Sequence, residues 1–308
     1  MRSFSEKIKL KASEVGFSKV GIVAPDLLLT ETDRLNEWLG RGFHGEMGWM
    51  ERETEKRGDP RILYPETKSI AVVALNYFTP HQHQSDTNAG KISRYAWGDD
   101  YHDVVREKLT ELLSWIKSED ESVEGKICVD TAPMMDKAWA VRAGLGWLGK
   151  HSNVITKEIG SWVFIGSLLL NIELDYDSDV VEDHCGTCTA CLDACPTNAI
   201  VEPYVVDSLK CISYATIELR DESLPADIID NLEGWIYGCD ICQDVCPWNR
   251  FEQETDETRF EPRNGETSLN LDSLAAMDHD EYVTRFRRSA IKRTKLTGLK
   301  RNAEALRK

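Results

Sequence analysis

No run of eighteen apolar residues occurs in this 308-residue chain, and a bilayer-spanning helix needs about twenty. A membrane span is therefore not expected. The opening stretch MRSFSEKIKLKASEVGF is charged and amphipathic with no long apolar core, and is not read as a secretory signal. The expectation is a cytoplasmic protein with reduced thiols, which argues against a disulfide framework. Basic residues are also scarce. Lys and Arg number 37 against 53 Asp and Glu, a net charge of −16, which disfavours wrapping in nucleic acid. That deficit is uneven. From Arg285 to Lys308 ten basic residues face one acid, Glu304, giving +9 locally and leaving −25 on the rest. A basic segment on an acidic body suits a polyanionic partner; a solvated helix end accounts for the charge equally well. No low-complexity tract and no internal repeat occur apart from two cysteine runs.

Those runs hold eight of the nine cysteines. The first is Cys185-x2-Cys188-x2-Cys191-x3-Cys195-Pro196. The second is Cys239-x2-Cys242-x3-Cys246-Pro247, with Cys211 upstream. A 4Fe–4S cube needs four thiolates from different directions; a tight C-x2-C-x2-C loop supplies three, and the Cys before Pro serves the neighbouring cube. One cluster then takes Cys185, Cys188, Cys191 and Cys246, the other Cys195, Cys211, Cys239 and Cys242. Structural zinc uses paired C-x2-C motifs as well, but has no use for a further Cys-Pro at x3, which here occurs twice. The long insertion between Cys211 and Cys239 reads as helical. The ninth cysteine, Cys128, lies in the apolar run KICVD and reads as a small core residue.

The length suggests about two domains. Residues 4–16 read as an amphipathic helix, followed by a strand from Val20 to Val23 and a helix around Asp33 to Leu39. Residues 41–66 read as a structured loop region. SIAVVALNYF (69–78) reads as a central strand. Asp100 to Ser118 reads as a long helix with Val104, Val105, Leu109, Leu112, Leu113 and Ile116 on its apolar side. KICVD reads as another strand, 136–143 as a helix, and 152–171 as two strands joined near Glu158-Ile159-Gly160. This is an α+β body of about 180 residues, then a cluster module, then a polar remainder with the basic tail.

Gly144-Leu-Gly146-Trp-Leu-Gly149 matches G-x-G-x-x-G, but a dinucleotide site needs a strand before and a helix after. Here a helix precedes and a strand follows, so the glycines read as a helix end and a tight turn allowing close backbone approach. Asp100-x-His102 resembles part of a cobalt-ligating D-x-H-x-x-G pattern without its glycine, and Asp100 reads as a helix cap. His81 and His83 read as solvated loop residues, and the tryptophans as packing residues. His184 beside Cys185 is suited either to covering a cluster or to the surface. Asp130 ends an apolar strand before Thr131-Ala132-Pro133. In a pocket there, desolvation would raise its pKa and make it an acid near neutrality; composition alone favours a turn cap.

DTAPMMDKAWAVRAGLGWLGKHSNVI (130–155), KRGDPRILYPETKSI (56–70), SRYAWGDDYHDVVREKL (93–109), HCGTCTACLDACPTNAI (184–200), LKCISYATIE (209–218), IYGCDICQDVCPWN (236–249) and RRSAIKRTKLTGLKRNAEAL (287–306) together resemble the epoxyqueuosine reductase family, in order and over nearly the whole chain. One departure is His151, where the family's GKN motif has Asn.

The resemblance implies a nitroreductase-like, cobalamin-binding α+β domain over 1–181. It further implies a ferredoxin-like module with two 4Fe–4S clusters over 182–250, and a C-terminal segment over 251–308 whose basic tail contacts tRNA. The implied reaction is two-electron deoxygenation of epoxyqueuosine at the tRNA wobble position through cob(I)alamin fed by the clusters, with Asp130 as proton donor. Arg57, Tyr95, Lys150, Asn153 and Ser208 are the implied cobalamin contacts, with Asp130 in the same pocket. Arg285, Arg287, Arg288, Lys292, Arg293 and Lys295 are the candidates for phosphate contact. The expected partners are epoxyqueuosine-carrying tRNA and an external low-potential donor of ferredoxin or flavodoxin type; the expected state is monomeric. A reductive dehalogenase-like enzyme would use the same cofactors but has no reason for a basic tail, and an electron-transfer protein would need the clusters but no pocket domain of about 180 residues.

Overall fold

In the computed structural model, residues 2–84, 86–177 and 180–307 are described. The first helix, α1 (Phe4–Val15), starts at a capping box formed by Ser3 and Glu6 and ends at Gly16, whose φ of 102° reverses the chain. It feeds β1 (Lys19–Val23), followed by α2 (Leu29–Gly40). The stretch read as loop contains two short helices, α3 (Thr54–Gly58) and α4 (Pro60–Leu63). The second starts with a proline, and its cap Asp59 accepts from Arg61 N–H, a strong local start signal. Next come β2 (Ser69–Asn76), β3 (Ala89–Ile92), α5 (Tyr101–Glu119), β4 (Gly125–Cys128) and α6 (Asp136–Arg142). Then β5 (Trp147–Leu148), β6 (Val154–Ile155) and β7 (Val163–Leu170) follow.

A four-stranded antiparallel sheet, ordered β1-β2-β7-β4, forms the centre. Every residue of β2 is buried, because both faces of the sheet are covered. Its alternation assigns the layers. Ala71, Val73 and Leu75 pack with Ile8, Val105, Leu109 and Leu112 of α1 and α5. Ile70, Val72 and Ala74 pack with Trp139 and Ala140 of α6. Burying each such Leu or Ile contributes about 1.5–3 kcal/mol. Cys128 is a core residue of the α6 layer.

The strands within 152–171 do not pair with each other. β6 pairs with β5 and β7 with the central sheet. The glycine motif makes the turn that allows this. A Cβ at Gly146 would lie 2.0 Å from the Ile155 carbonyl oxygen, so only glycine lets β5 approach β6.

Beyond β7 lie α7 (Ala190–Ala194), β8 (Ile200–Glu202), β9 (Val205–Val206), α8 (Ile212–Ile217), α9 (Ala226–Ile229), β10 (Trp235–Tyr237) and α10 (Ile241–Asp244). The last elements are β11 (Ser268–Asn270), α11 (Leu271–Ala276), α12 (His279–Arg285) and α13 (Lys295–Leu306). A second sheet, β10-β3-β11, draws one strand from each of the three expected regions. Ile92, Ile236, Leu269, Leu274 and Leu299 form its core. Within α13, Asn302 is wholly buried and its amide donates to the Thr216 and Ile236 carbonyls, each at 2.9 Å. The tail is thereby bolted onto the insertion between Cys211 and Cys239.

Candidate active site and cluster cavities

Asp130 lies two residues beyond β4 and adopts φ 47°, a left-handed conformation costly for a non-glycine residue. The turn is tight, with Thr131 N–H donating to the Val129 carbonyl at 2.5 Å. The carboxylate is met from the start of α5. Asp100 caps that helix by accepting from His102 N–H at 3.0 Å, and the same oxygen lies 2.7 Å from His102 Nδ1. The other ring nitrogen, Nε2, lies 3.0 Å from Asp130 Oδ2. Tyr101 stacks on the His102 ring at 4.1 Å and on Phe164 at 4.4 Å, fixing the imidazole plane.

The electrostatics correct one expectation. Burial alone would raise Asp130, but the His102 hydrogen bond and charge, with the Tyr101 hydrogen bond, hold it below the usual carboxylate value. Burial would lower His102, yet hydrogen bonds to Asp100 and Asp130 push it up to about 9. The pair therefore carries its proton on the imidazole at neutral pH, not on the aspartate. Nearby, burial and then the Asp130 charge push Asp136 up to about 8, so a neutral acid lies beside the pair.

A cavity of about 1450 Å³ opens on this cluster, lined by Arg57, Tyr95, His102, Asp130 and Ser208 among others. Arg57 is buried, donates to the Trp49 carbonyl at 3.2 Å and leaves Nε without a partner. The Tyr95 hydroxyl donates to Tyr237, which donates to the Ala290 carbonyl. An adjoining cavity of about 620 Å³ shares Tyr95, Tyr101, Asp130 and Cys211 and continues to Asn153 and Lys137. There the Lys137 ammonium donates to Asn153 Oδ1 and the Ser152 carbonyl, each at 2.8 Å. The insertion after Cys211 supplies Ser213, Tyr214, Ile217 and Glu218 to the wall.

Of the residues the family resemblance assigned to this pocket, Lys150 is elsewhere. Its ammonium donates to the Gly186 and Cys188 carbonyls at 2.7 and 2.9 Å, and it lines a third cavity of about 180 Å³. The chain turns after Gly149, and this sends Lys150 and Asn153 to different cavities.

The eight thiols divide between two cavities. Cys195, Cys211, Cys239 and Cys242 line the second, and Cys185, Cys188, Cys191 and Cys246 line the third. None is disulfide-bonded. Among the described residues, no three His, Cys, Asp or Glu side chains close tightly on one point; the thiols ring a space instead. Among the described residues, the ring nitrogens His184 Nε2 and His151 Nε2, on side chains that line the third cavity, are buried with no hydrogen-bond partner. Thiol-ringed cavities with unspent N–H groups fit sulfide-bearing clusters, whose sulfurs accept such bonds. The larger cavities, with a buried guanidinium and several hydroxyls on a broad apolar wall, fit a bulky cofactor bearing polar side chains.

In the tail, three candidate cations are already paired. Arg285 meets Glu266 at 2.8 Å, Arg288 meets Asp103 and Glu107 at 3.0 and 2.9 Å, and Arg293 meets Glu218 at 2.7 Å. Ser289, Ala290, Lys292 and Arg293 line the large cavity, so the basic segment forms part of its wall. Sequence reading misses His102 as the partner of Asp130; the available signal is the Asp100-x-His102 spacing, through which one carboxylate both caps a helix and holds a ring.

Comparison with known proteins gives a consistent picture. Residues 57–131 match the family described as "Epoxyqueuosine reductase QueG, DUF1730", and residues 184–249 match the "4Fe-4S double cluster binding domain". The chain is 48% identical over 302 residues to an epoxyqueuosine reductase of Cellulophaga algicola, covering 98% of this chain and 97% of that one. It is 50% identical over 281 residues to one from Synechocystis sp., covering 90% and 96%. Among solved structures, it is similar to an epoxyqueuosine reductase with an epoxyqueuosine-modified tRNA-Tyr stem loop. That match has a TM-score of 0.90 and 33% identity over 98% of this chain and 80% of that one. It is likewise similar to the Streptococcus thermophilus enzyme, with a TM-score of 0.90 and 30% identity over the same shares.

Proposed function

The chain belongs to the epoxyqueuosine reductase family, and from that premise we propose that it reduces epoxyqueuosine to queuosine at the wobble position of tRNA. Two electrons and two protons enter, both epoxide C–O bonds break, a C=C bond forms and the oxygen leaves as water. The observation that carries the reading is a proton-bearing pair, His102 and Asp130, on the wall of a cavity whose extension reaches four cysteine thiols.

Cobalamin, when bound, supplies a metal centre that gathers single electrons and delivers them to the epoxide as a pair. Arg57, Tyr95 and Ser208 hold it in the large cavity, with Asn153 contributing from the adjoining one. Both ring nitrogens of His102 meet carboxylates, Nδ1 at Asp100 and Nε2 at Asp130, so the imidazolium passes its Nε2 proton to Asp130, and Asp130 delivers it to the opening oxygen. An alkoxide would otherwise form with no proton donor positioned beside it. Tyr101 keeps the imidazole in plane, and the Asp130 charge, after burial, helps keep Asp136 protonated near neutrality. Cys185, Cys188, Cys191 and Cys246 bind one 4Fe–4S cluster, and Cys195, Cys211, Cys239 and Cys242 the other.

In this reading residues 1–181 act as a nitroreductase-like catalytic domain, 182–250 as the electron relay and 251–308 as the part that meets tRNA. Arg287, Lys292 and Lys295 engage phosphate, while the modified base leaves its stack to enter the cavity. The protein works as a cytoplasmic monomer and takes electrons from a ferredoxin- or flavodoxin-type donor. The test is anaerobic reduction of epoxyqueuosine-tRNA by the reconstituted protein with and without cobalamin, read by nucleoside mass spectrometry. Queuosine formation only with cobalamin supports the proposal; formation indifferent to cobalamin overturns it.

A further inference from the structure

His151 stands between the two thiol-ringed cavities and lines both. Its residue is 5% exposed. Its Nδ1 accepts from the Asn153 backbone N–H at 3.2 Å, so in the neutral ring the proton resides on Nε2. Nε2 is the atom left buried without a partner. An N–H in that position forfeits its hydration and regains nothing, a loss of about 1–3 kcal/mol unless an acceptor is supplied. Among the described residues no nitrogen or oxygen supplies one, whereas four thiols line each cavity the ring lines. The backbone holds the ring there: Gly149 N–H donates to the Asn153 carbonyl at 2.8 Å and Ser152 N–H to the Gly149 carbonyl at 2.8 Å, closing a turn around His151.

We propose that His151 donates Nε2–H to a sulfur of one iron–sulfur cluster and thereby sets that cluster's potential relative to its neighbour. This rests on reading the two cavities as cluster sites. A hydrogen bond to a cluster sulfur favours the reduced, more negative state and raises the potential. Since His151 touches both cavities, it biases one end of the step between the clusters. It is a positioning and tuning residue and meets no substrate.

The experiment uses reconstituted holoprotein whose iron and sulfide content is measured first; failure of the wild type to take up two clusters would defeat the cluster reading, separately from the role of His151. With both loaded, protein labelled with ¹⁵N only at histidine is reduced and examined by pulsed EPR, and each cluster is titrated potentiometrically. The expected result is a histidine ¹⁵N coupling to one cluster that is diminished in His151→Asn. One midpoint potential should fall in His151→Leu, with the other unmoved. His151→Asn, which retains an N–H donor, should keep that potential nearer the wild-type value. A histidine coupling undiminished in His151→Asn, or unchanged potentials in a fully loaded His151→Leu, overturns the inference; any residual coupling in His151→Asn should vanish when His184 is also replaced. Absence of any histidine coupling in the wild type does so too, since Nε2–H then meets only a buried water.

Discussion

His102 Nε2 lies 3.0 Å from Asp130 Oδ2, and this contact inverts the protonation that burial alone would give the aspartate. The imidazole, raised to about 9, holds the proton, while Asp130 stays ionised below its ordinary value. Turnover by the wild type should therefore be supported at neutral pH and decline as pH rises through about 9. In His102→Gln that alkaline limb should vanish and the rate at neutral pH should fall by roughly tenfold or more. Single-turnover rates across pH check both. The same shift contributes stability below the unfolded imidazole value of 6.5 that is lost as pH rises through about 9.

Replacing Asp130 with Asn keeps the shape and removes the carboxylate that takes the His102 proton and passes it on. Turnover should fall by about 10²–10⁴-fold, the usual worth of a positioned proton donor, with cofactor loading and tRNA affinity retained. Absorbance of the bound cofactor and a filter-binding titration separate the two effects.

Each cluster should be removable alone. Cys191→Ala affects only the set with Cys185, Cys188 and Cys246, and Cys242→Ala only the set with Cys195, Cys211 and Cys239. Iron content should drop by about half in each variant, and the EPR spectra of the two should sum to that of the wild type. Both variants should lose turnover.

Charge reversal of Arg287, Lys292 and Lys295 together should weaken tRNA binding. The salt slope should become shallower by about one for each phosphate that is no longer neutralised. Reversing Arg285, which already meets Glu266, should alter affinity less. Fluorescence titrations at several salt concentrations read both slopes.

Gly146→Ala tests the close strand approach. Its Cβ would lie 2.0 Å from the Ile155 carbonyl oxygen, a backbone atom that cannot swing away. A loss of about 1–3 kcal/mol is expected, seen as a lower Tm with the fold retained in circular dichroism.

What sequence alone reveals follows the range of the interactions. β2 and α5 are legible because burial imposes periods of two and 3.6 on their apolar residues. The division of the thiols follows from cysteine spacing and the prolines after Cys195 and Cys246. The His102–Asp130 contact is not legible, since it joins residues 28 apart through the packing of α5 against the sheet. Without that partner, desolvation alone governs Asp130, and the direction of its pKa is reversed. Lys150 escapes sequence reading for a related reason: a motif assigns neighbouring residues to one pocket, while a turn inside it sends their side chains apart. The β10-β3-β11 sheet is formed wholly by distant segments, and no local pattern announces it.

Ser289, Ala290, Lys292 and Arg293 wall the large cavity, and this ties the pocket to the far end of the sequence. A protein shortened before residue 289 would keep Asp130, His102 and every cysteine, yet its large cavity would lack part of one wall. Truncation of the tail is therefore expected to weaken retention of the larger cofactor as well as tRNA binding.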